Sequence, residues 1–138
     1  MLLPNRVLLA DDDVEIRQGV AELLAPLGLE FLHAESGPEA LALALDDIPS
    51  LALMLLDMHM PGCTGLEVLA RLRGEPGMLL VPCIFFSGAA NERIERDAFD
   101  AGAFAFLRKP VQPELLRGEV RRALYSVQHG RNPFDQRP

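Results

Sequence analysis

The chain has 138 residues, with 13 Lys or Arg against 20 Asp or Glu, and therefore a formal net charge of −7. This length suits one domain, and a hydrophobic share of 49% is enough for a sizeable core, which excludes a disordered or fibrous chain. The acidic balance argues against direct nucleic-acid binding, because the domain would repel phosphate backbones, and the apolar stretches are shorter than the roughly 20 residues of a membrane span.

Strand and helix patterns alternate along the chain. Short apolar runs without a helical period predict buried strands, and longer segments with one apolar side predict helices. In chain order, the predicted elements are a strand at 6–10, a helix at 14–25, a strand at 29–34, a helix at 37–46, a strand at 51–57, a helix capped by Thr64 whose core face includes Leu66 and Leu72, a strand at 81–86, a helix at 92–101, a strand at 104–107 and a helix at 113–127. This alternation predicts an α/β fold, with a parallel sheet covered by helices on both faces.

Capping residues mark where four of the helices are expected to begin. The predicted N-caps are Asp13, Ser36, Thr64 and Asn91.

The segment at 51–56 prefers helix by composition alone, but it lies between a Pro-Ser pair and a Pro-Gly loop and is too short for a typical helix. A strand is therefore predicted there.

Polar side chains follow four of the five predicted strands. These residues are Asp11, Asp12, Asp57, Ser87 and Lys109. Because the carboxyl ends of parallel strands share one edge of the sheet, we expect the five side chains to converge there. Three carboxylates so close together repel one another unless a cation joins them, and Mg²⁺, which prefers oxygen ligands, is the expected ion. A hydroxyl and an ammonium suit a phosphoryl group, and an aspartate can form an acyl phosphate.

Four motifs in a fixed order carry a resemblance to a known family. They are Leu9–Asp13, Leu55–Gly62, Phe86–Ala89 and Leu107–Pro110. With these motifs at these intervals, residues 5–127 resemble the receiver domain of two-component response regulators. The resemblance implies a doubly wound, flavodoxin-like sheet of five strands in the order 2-1-3-4-5, with five helices. The chain then divides into a receiver domain at 1–127 and a C-terminal tail at 128–138, which is expected to be flexible.

The resemblance implies a role for each residue at the metal site. Asp57 is the expected phosphoacceptor. Asp12 and Asp57 are expected to bind Mg²⁺ through carboxylate oxygens, and Asp11 mainly through metal-bound water. His59 is expected to bind the ion through its backbone carbonyl.

The resemblance also implies how the phosphoryl group acts. Lys109 pairs with it, Ser87 donates a hydrogen bond to one of its oxygens, and Phe106 turns inward as Ser87 moves. The group comes from a sensor histidine kinase or a phosphotransfer protein. Its arrival changes the surface formed by the fourth helix, the fifth strand and the fifth helix, where a downstream target or an output domain binds. The resemblance also allows a homodimer through that surface.

Other function classes fit the same topology less well. A phosphatase with an aspartyl-phosphate intermediate typically carries a second acid two residues after the nucleophile, and here that position is His59. A flavin-binding module needs a phosphate loop after the first strand, and three aspartates there would repel phosphate. A degenerate receiver that acts only as an interaction module stays open as an alternative. We expect no enzyme acting on an external substrate, only self-phosphorylation and self-dephosphorylation, in the cytoplasm, where the two cysteines stay reduced.

Overall fold

Strands and helices alternate through residues 3–89 and 91–128, which are the residues that the computed structural model of this chain describes. The strands are β1 Arg6–Ala10, β2 Glu30–Ala34, β3 Leu51–Asp57, β4 Cys83–Ser87 and β5 Ala105–Arg108. The helices are α1 Val14–Leu24, α2 Gly37–Asp46, α3 Gly65–Leu72, α4 Glu92–Asp100 and α5 Pro113–Gln128. The predicted tail lies outside the described residues from position 129 onward.

The sheet is parallel throughout and has the order β2-β1-β3-β4-β5. The predicted α/β class and strand order are therefore confirmed. The chain leaves β1 toward one side to form β2 and then crosses to the other side of β1 to form β3. This reversal opens a crevice between the carboxyl ends of β1 and β3, the place where open parallel sheets bind ligands.

The core has two layers, one on each face of the sheet. All seven residues of β3 are buried, and from Leu53 to Leu56 the side chains alternate between the layers. Met54 and Leu56 face the layer that α2, α3 and α4 cover, whereas Leu53 and Leu55 face the layer of α1 and α5. Burial on both faces explains why this strand is continuously apolar, and why its composition resembles that of a helix.

Two prolines account for the later start of β4 and the earlier end of α1 relative to prediction. β4 begins at Cys83 rather than 81, because Pro82 has no N–H for a strand ladder, although its carbonyl accepts a hydrogen bond from Met54 N–H at 2.9 Å. α1 ends at Leu24, and the three residues that follow, with Pro26 among them, form a 3₁₀ turn. The remaining predicted boundaries lie within one residue of those observed.

The predicted helix caps are confirmed. The side chains of Asp13, Ser36, Thr64 and Asn91 each accept a hydrogen bond from a backbone N–H in the first turn of the next helix. At Thr64 the capping box is complete, because the side chain of Glu67 accepts a hydrogen bond from the Thr64 backbone N–H. None of the helices in the described ranges combines the length and the apolar character that crossing a bilayer requires.

Two glycines give a matched test of how closely α3 packs against the end of β3. A Cβ at Gly65 would lie 2.5 Å from the backbone oxygen of Asp57, whereas a Cβ at Gly118 in α5 would meet nothing within 4 Å. Gly65→Ala should therefore lower the free energy of unfolding by about 1–3 kcal/mol through overpacking. Gly118→Ala should raise it by up to about 1 kcal/mol through helix propensity. Urea denaturation measures both, and equal effects would contradict the close approach at Gly65.

Candidate functional site

Three carboxylates meet in the crevice between β1 and β3. Asp11 and Asp12 follow β1, and Asp57 is the last residue of β3. Each of the three offers an oxygen, and these oxygens lie within 4.8 Å of one another. The side chains of Asp11 and Asp57 are buried, and Asp12 is exposed at the mouth. The structure thus brings together the three acids that the sequence places at the strand ends.

Backbone hydrogen bonds fix Asp11 in this crevice. Its N–H donates to the carbonyl of Ala34 at the end of β2, at 3.0 Å. Its Oδ1 accepts a hydrogen bond from the N–H of Asp13 at 2.9 Å, so this oxygen is held by the loop that leads into α1. The other oxygen, Oδ2, is turned toward the site, where the Lys109 ammonium lies 2.8 Å away.

Lys109 links three strand ends. It follows β5, and its backbone N–H donates to the carbonyl of Ser87 at the end of β4, at 2.9 Å. Its Nζ lies 2.8 Å from Asp11 Oδ2 and 3.2 Å from Asp57 Oδ2. Although burial opposes the charged form, the hydrogen bond to Asp11 and the charge of Asp57 outweigh burial and raise the pKa of Lys109. The peptide bond between Lys109 and Pro110 is cis.

The surroundings of Asp57 both favour and oppose its ionised form. Its Oδ1 accepts a hydrogen bond from the His59 N–H at 3.3 Å, and its Oδ2 faces Lys109. Burial, and then the negative charge of Asp11, nevertheless raise the pKa of Asp57. Asp11 and Asp57 thus share the Lys109 ammonium, and Asp12 adds a third carboxylate at the mouth. Their oxygens are the ligands that a hard divalent cation prefers, so the donor set fits Mg²⁺.

The remaining predicted residues lie on β4 and β5 and in the loops that follow β3 and β4. Ser87 is fully buried at the end of β4, and its Oγ accepts a hydrogen bond from Ala89 N–H at 3.3 Å. Phe106 lies opposite Phe85 in the pairing of β4 with β5, is half-buried, and packs against the core layer of α3 and α4. His59 and Ala89 are exposed in the loops that follow Asp57 and Ser87.

Sequence reasoning missed Arg17. This arginine of α1 is only 5% exposed, and its Nη1 donates to the backbone oxygen of Asp11 at 2.5 Å. Its Nε donates to Nδ1 of His33 at 3.3 Å, and its Nη2 lies 3.7 Å from Glu35. The available signal is its isolation, since Arg17 and Arg6 are the two basic residues among the first 70, which also hold twelve acidic residues.

The chain is similar to known signalling proteins in sequence. Residues 7–121 match the family model of the response regulator receiver domain. The transcriptional activator protein ExaE of Pseudomonas putida is 40% identical over 120 residues, which cover 86% of this chain and 54% of that protein. The phosphate regulon transcriptional regulatory protein PhoB of Pseudomonas aeruginosa is 30% identical over 123 residues, or 89% and 53% of the two chains. The chain thus spans about half the length of these curated relatives.

Solved structures show the same likeness. The chemotaxis response regulator CheY4 of Vibrio cholerae is 30% identical, with a TM-score of 0.78, over 87% of this chain and 98% of that one. A response regulator receiver domain protein from Clostridium thermocellum is 27% identical, with a TM-score of 0.82, over 91% and 98%. These two matches cover nearly the whole of the solved chains.

The raised pKa of Asp57 predicts how stability depends on pH. Folding disfavours its carboxylate, so ionised Asp57 lowers the free energy of unfolding at pH 7, and this penalty fades as the pH falls through the folded pKa. In Mg²⁺-free buffer, Asp57→Asn should therefore be more stable than the parent at pH 7. The difference should shrink toward pH 4 in urea denaturation.

A matched control for this prediction is Asp97→Asn, because Asp97 is exposed in the middle of α4. Its stability relative to the parent should change little between the same two pH values. An Asp57→Asn protein that is less stable than the parent at pH 7 would contradict the electrostatic conflict described above.

Proposed function

The chain belongs to the response regulator receiver domain family, and from this premise we propose that it accepts a phosphoryl group on Asp57 from a sensor histidine kinase or a phosphotransfer protein. The observation that carries the proposal is the convergence of three carboxylates and Lys109 at the switch point of the sheet. In the proposed reaction, a carboxylate oxygen of Asp57 attacks the phosphorus of a phosphohistidine. The phosphorus–nitrogen bond breaks, and an acyl phosphate forms on Asp57.

The carboxylates of Asp11, Asp12 and Asp57, with the backbone carbonyl of His59, would hold Mg²⁺. When bound, the ion neutralises charge on the transferred group. Asp57 is oriented for the attack by the His59 N–H on one oxygen and by Lys109 at the other. Burial around Asp57 keeps most water away, which strengthens these electrostatic contacts.

Lys109 is placed to respond to the new group. Its ammonium is already 3.2 Å from Asp57, so only a small displacement pairs it with a phosphoryl oxygen. A phosphoryl group adds about −2 of charge at neutral pH, and this draws the ammonium away from Asp11. Because the Lys109 backbone N–H donates a hydrogen bond to the Ser87 carbonyl, the ends of β4 and β5 respond together. The Ser87 hydroxyl then donates to a phosphoryl oxygen.

The proposed output is a shift of the surface formed by α4, β5 and α5. In α4 the buried residue is Ala98, and Ile94 is half-buried, so apolar contacts hold this helix only weakly to the sheet. An ion pair of 3.4 Å between Glu95 and Arg108 adds an exposed link from α4 to β5. We propose that phosphorylation biases an equilibrium between two arrangements of this surface, with Phe106 turning inward in one of them.

The nucleophile is tested with a small phosphodonor. Incubation with acetyl phosphate and Mg²⁺ should add one phosphoryl group to the protein, detected by intact mass, and alkali should remove it. Asp57→Ala should take up no label. A useful control is Asp47→Ala. Asp47 lies away from the site, just after α2, where its carboxylate is 2.7 Å from the guanidinium of Arg6. Label that persists in Asp57→Ala would place the phosphoacceptor elsewhere.

The lifetime of the acyl phosphate gives a further prediction. Hydrolysis needs a water in line with the phosphorus, opposite Asp57, and by family resemblance the side chains at positions 59 and 89 border that approach. Ala89 offers no hydrogen bond, and the His59 ring is bulky, so self-dephosphorylation should be slow. The double variant His59→Asn with Ala89→Glu should orient a water and speed the decay about tenfold, which corresponds to ~1.4 kcal/mol in the barrier.

Decay is followed after the phosphodonor is removed, in excess Mg²⁺. Both positions are exposed in loops, so the double variant should fold like the parent. The two single variants serve as controls, because each of them supplies only one of the two hydrogen-bonding groups. Equal or slower decay in the double variant would show that these two positions do not limit hydrolysis.

A further inference from the structure

Four polar or charged side chains are buried within the described residues, namely Asp11, Asp57, Ser87 and Arg17. The first three belong to the site, and Arg17 lies directly behind it. A buried guanidinium is costly unless hydrogen bonds and an opposite charge compensate for lost hydration. The groups that hydrogen-bond or pair with Arg17 therefore indicate which part of the structure it holds in place.

The donors of Arg17 spread over the ends of two strands. Nη1 donates to the backbone oxygen of Asp11, just after β1, at 2.5 Å. Nε donates to Nδ1 of His33 in β2 at 3.3 Å, and Nη2 lies 3.7 Å from Glu35, just after β2. The planar, five-donor guanidinium can make these contacts at once, which the ammonium of a lysine cannot.

The carbonyl that Arg17 binds belongs to the peptide that joins Asp11 to Asp12. On the other side of Asp11, its N–H is bonded to the Ala34 carbonyl at 3.0 Å. Its Oδ1 is held by the Asp13 N–H at 2.9 Å. With both flanking peptides and one carboxylate oxygen fixed, Asp11 Oδ2 is directed into the crevice, and the direction in which Asp12 leaves the backbone is set.

We propose that Arg17 is a positioning residue for the divalent cation: it holds the Asp11–Asp12 peptide so that both carboxylates face the ion. This inference rests on the proposed Mg²⁺-dependent phosphorylation of Asp57. The effect is geometric rather than electrostatic, because a positive charge in the ligand shell would repel the cation. The guanidinium instead lies behind the peptide, with Glu35 beside it. Residues that orient metal ligands from behind typically change metal affinity by about 10–100-fold when they are replaced.

The test compares Mg²⁺ affinity across Arg17→Lys, Arg17→Gln and Arg17→Met. The chain has no tryptophan, so Mg²⁺ binding is measured by calorimetry or by amide chemical shifts, and folding by urea denaturation. Arg17→Met should weaken Mg²⁺ binding about tenfold or more. Arg17→Lys and Arg17→Gln, which keep a donor for the Asp11 carbonyl, should show smaller losses.

A half-buried arginine supplies the matched control. Arg73 donates to the carbonyls of Met78 and Val81, at 2.5 and 2.8 Å, near the amino end of β4 and therefore at the edge of the sheet opposite the site. Arg73→Met should lower stability but leave Mg²⁺ affinity unchanged. Labelling by acetyl phosphate adds a further readout: raising Mg²⁺ should restore the labelling rate of those Arg17 variants that urea denaturation shows to be folded without Mg²⁺.

Several outcomes would overturn the proposal. Parental Mg²⁺ affinity in folded Arg17→Met would do so, as would an equal loss of affinity in Arg73→Met. If Arg17→Met does not fold, the proposal fails when Arg17→Lys and Arg17→Gln both bind Mg²⁺ like the parent. Measurements on the parent protein distinguish a failure of the proposed function. In that case the parent binds no Mg²⁺, binds it no more tightly than Asp12→Asn does, or takes up no label on Asp57.

Discussion

Negative charge confined to a buried crevice is the constraint on which the rest of the structure depends. Asp11 and Asp57 are buried and face the Lys109 ammonium, and Asp12 lies exposed at the mouth. Burial and the charge of Asp11 raise the pKa of Asp57, so folding works against its ionised form. The apolar sheet must offset this cost, and β3, which is buried along its whole length, carries the central carboxylate. Under the proposed function, a bound cation or a phosphoryl group would change this charge balance.

Lys109 connects the carboxylates of the crevice to the ends of β4 and β5. Its ammonium lies between Asp11 and Asp57, and its backbone N–H is bonded to Ser87. The ends of β1, β3, β4 and β5 therefore meet through one residue. Phe106 lies three positions earlier on β5, so the path from Asp57 to the exposed side of β5 is only a few residues long. On the β1 side of the crevice, Arg17 donates a hydrogen bond to the backbone oxygen of Asp11.

Local patterns were sufficient to predict the residues at the strand ends, whereas the strand order followed from the family resemblance. Apolar runs, caps and adjacent acids are visible in any short window, and parallel pairing carries Asp57 beside Asp11 without further information. The role of Arg17 could not be predicted in this way. Its partners are a backbone carbonyl, the His33 ring and Glu35, which come from different elements, and a backbone carbonyl leaves no trace in residue identity. The displaced start of β4 shows the same limit, since Pro82 contributes a carbonyl without joining the strand.

The two helices on the same face beside β4 differ in how firmly they are held, and this decides where a displacement can go. α3 buries Val68, Leu69 and Leu72, and its Gly65 N–H donates to the Met58 carbonyl at 3.1 Å, close to Asp57. A Cβ on Gly65 would lie 2.5 Å from the Asp57 backbone oxygen, so α3 has no room to move toward the site. α4 buries only Ala98 among its described residues. Because local stability follows buried apolar contact, strain created at Asp57 should be relieved through β5 and α4, while α3 stays in place.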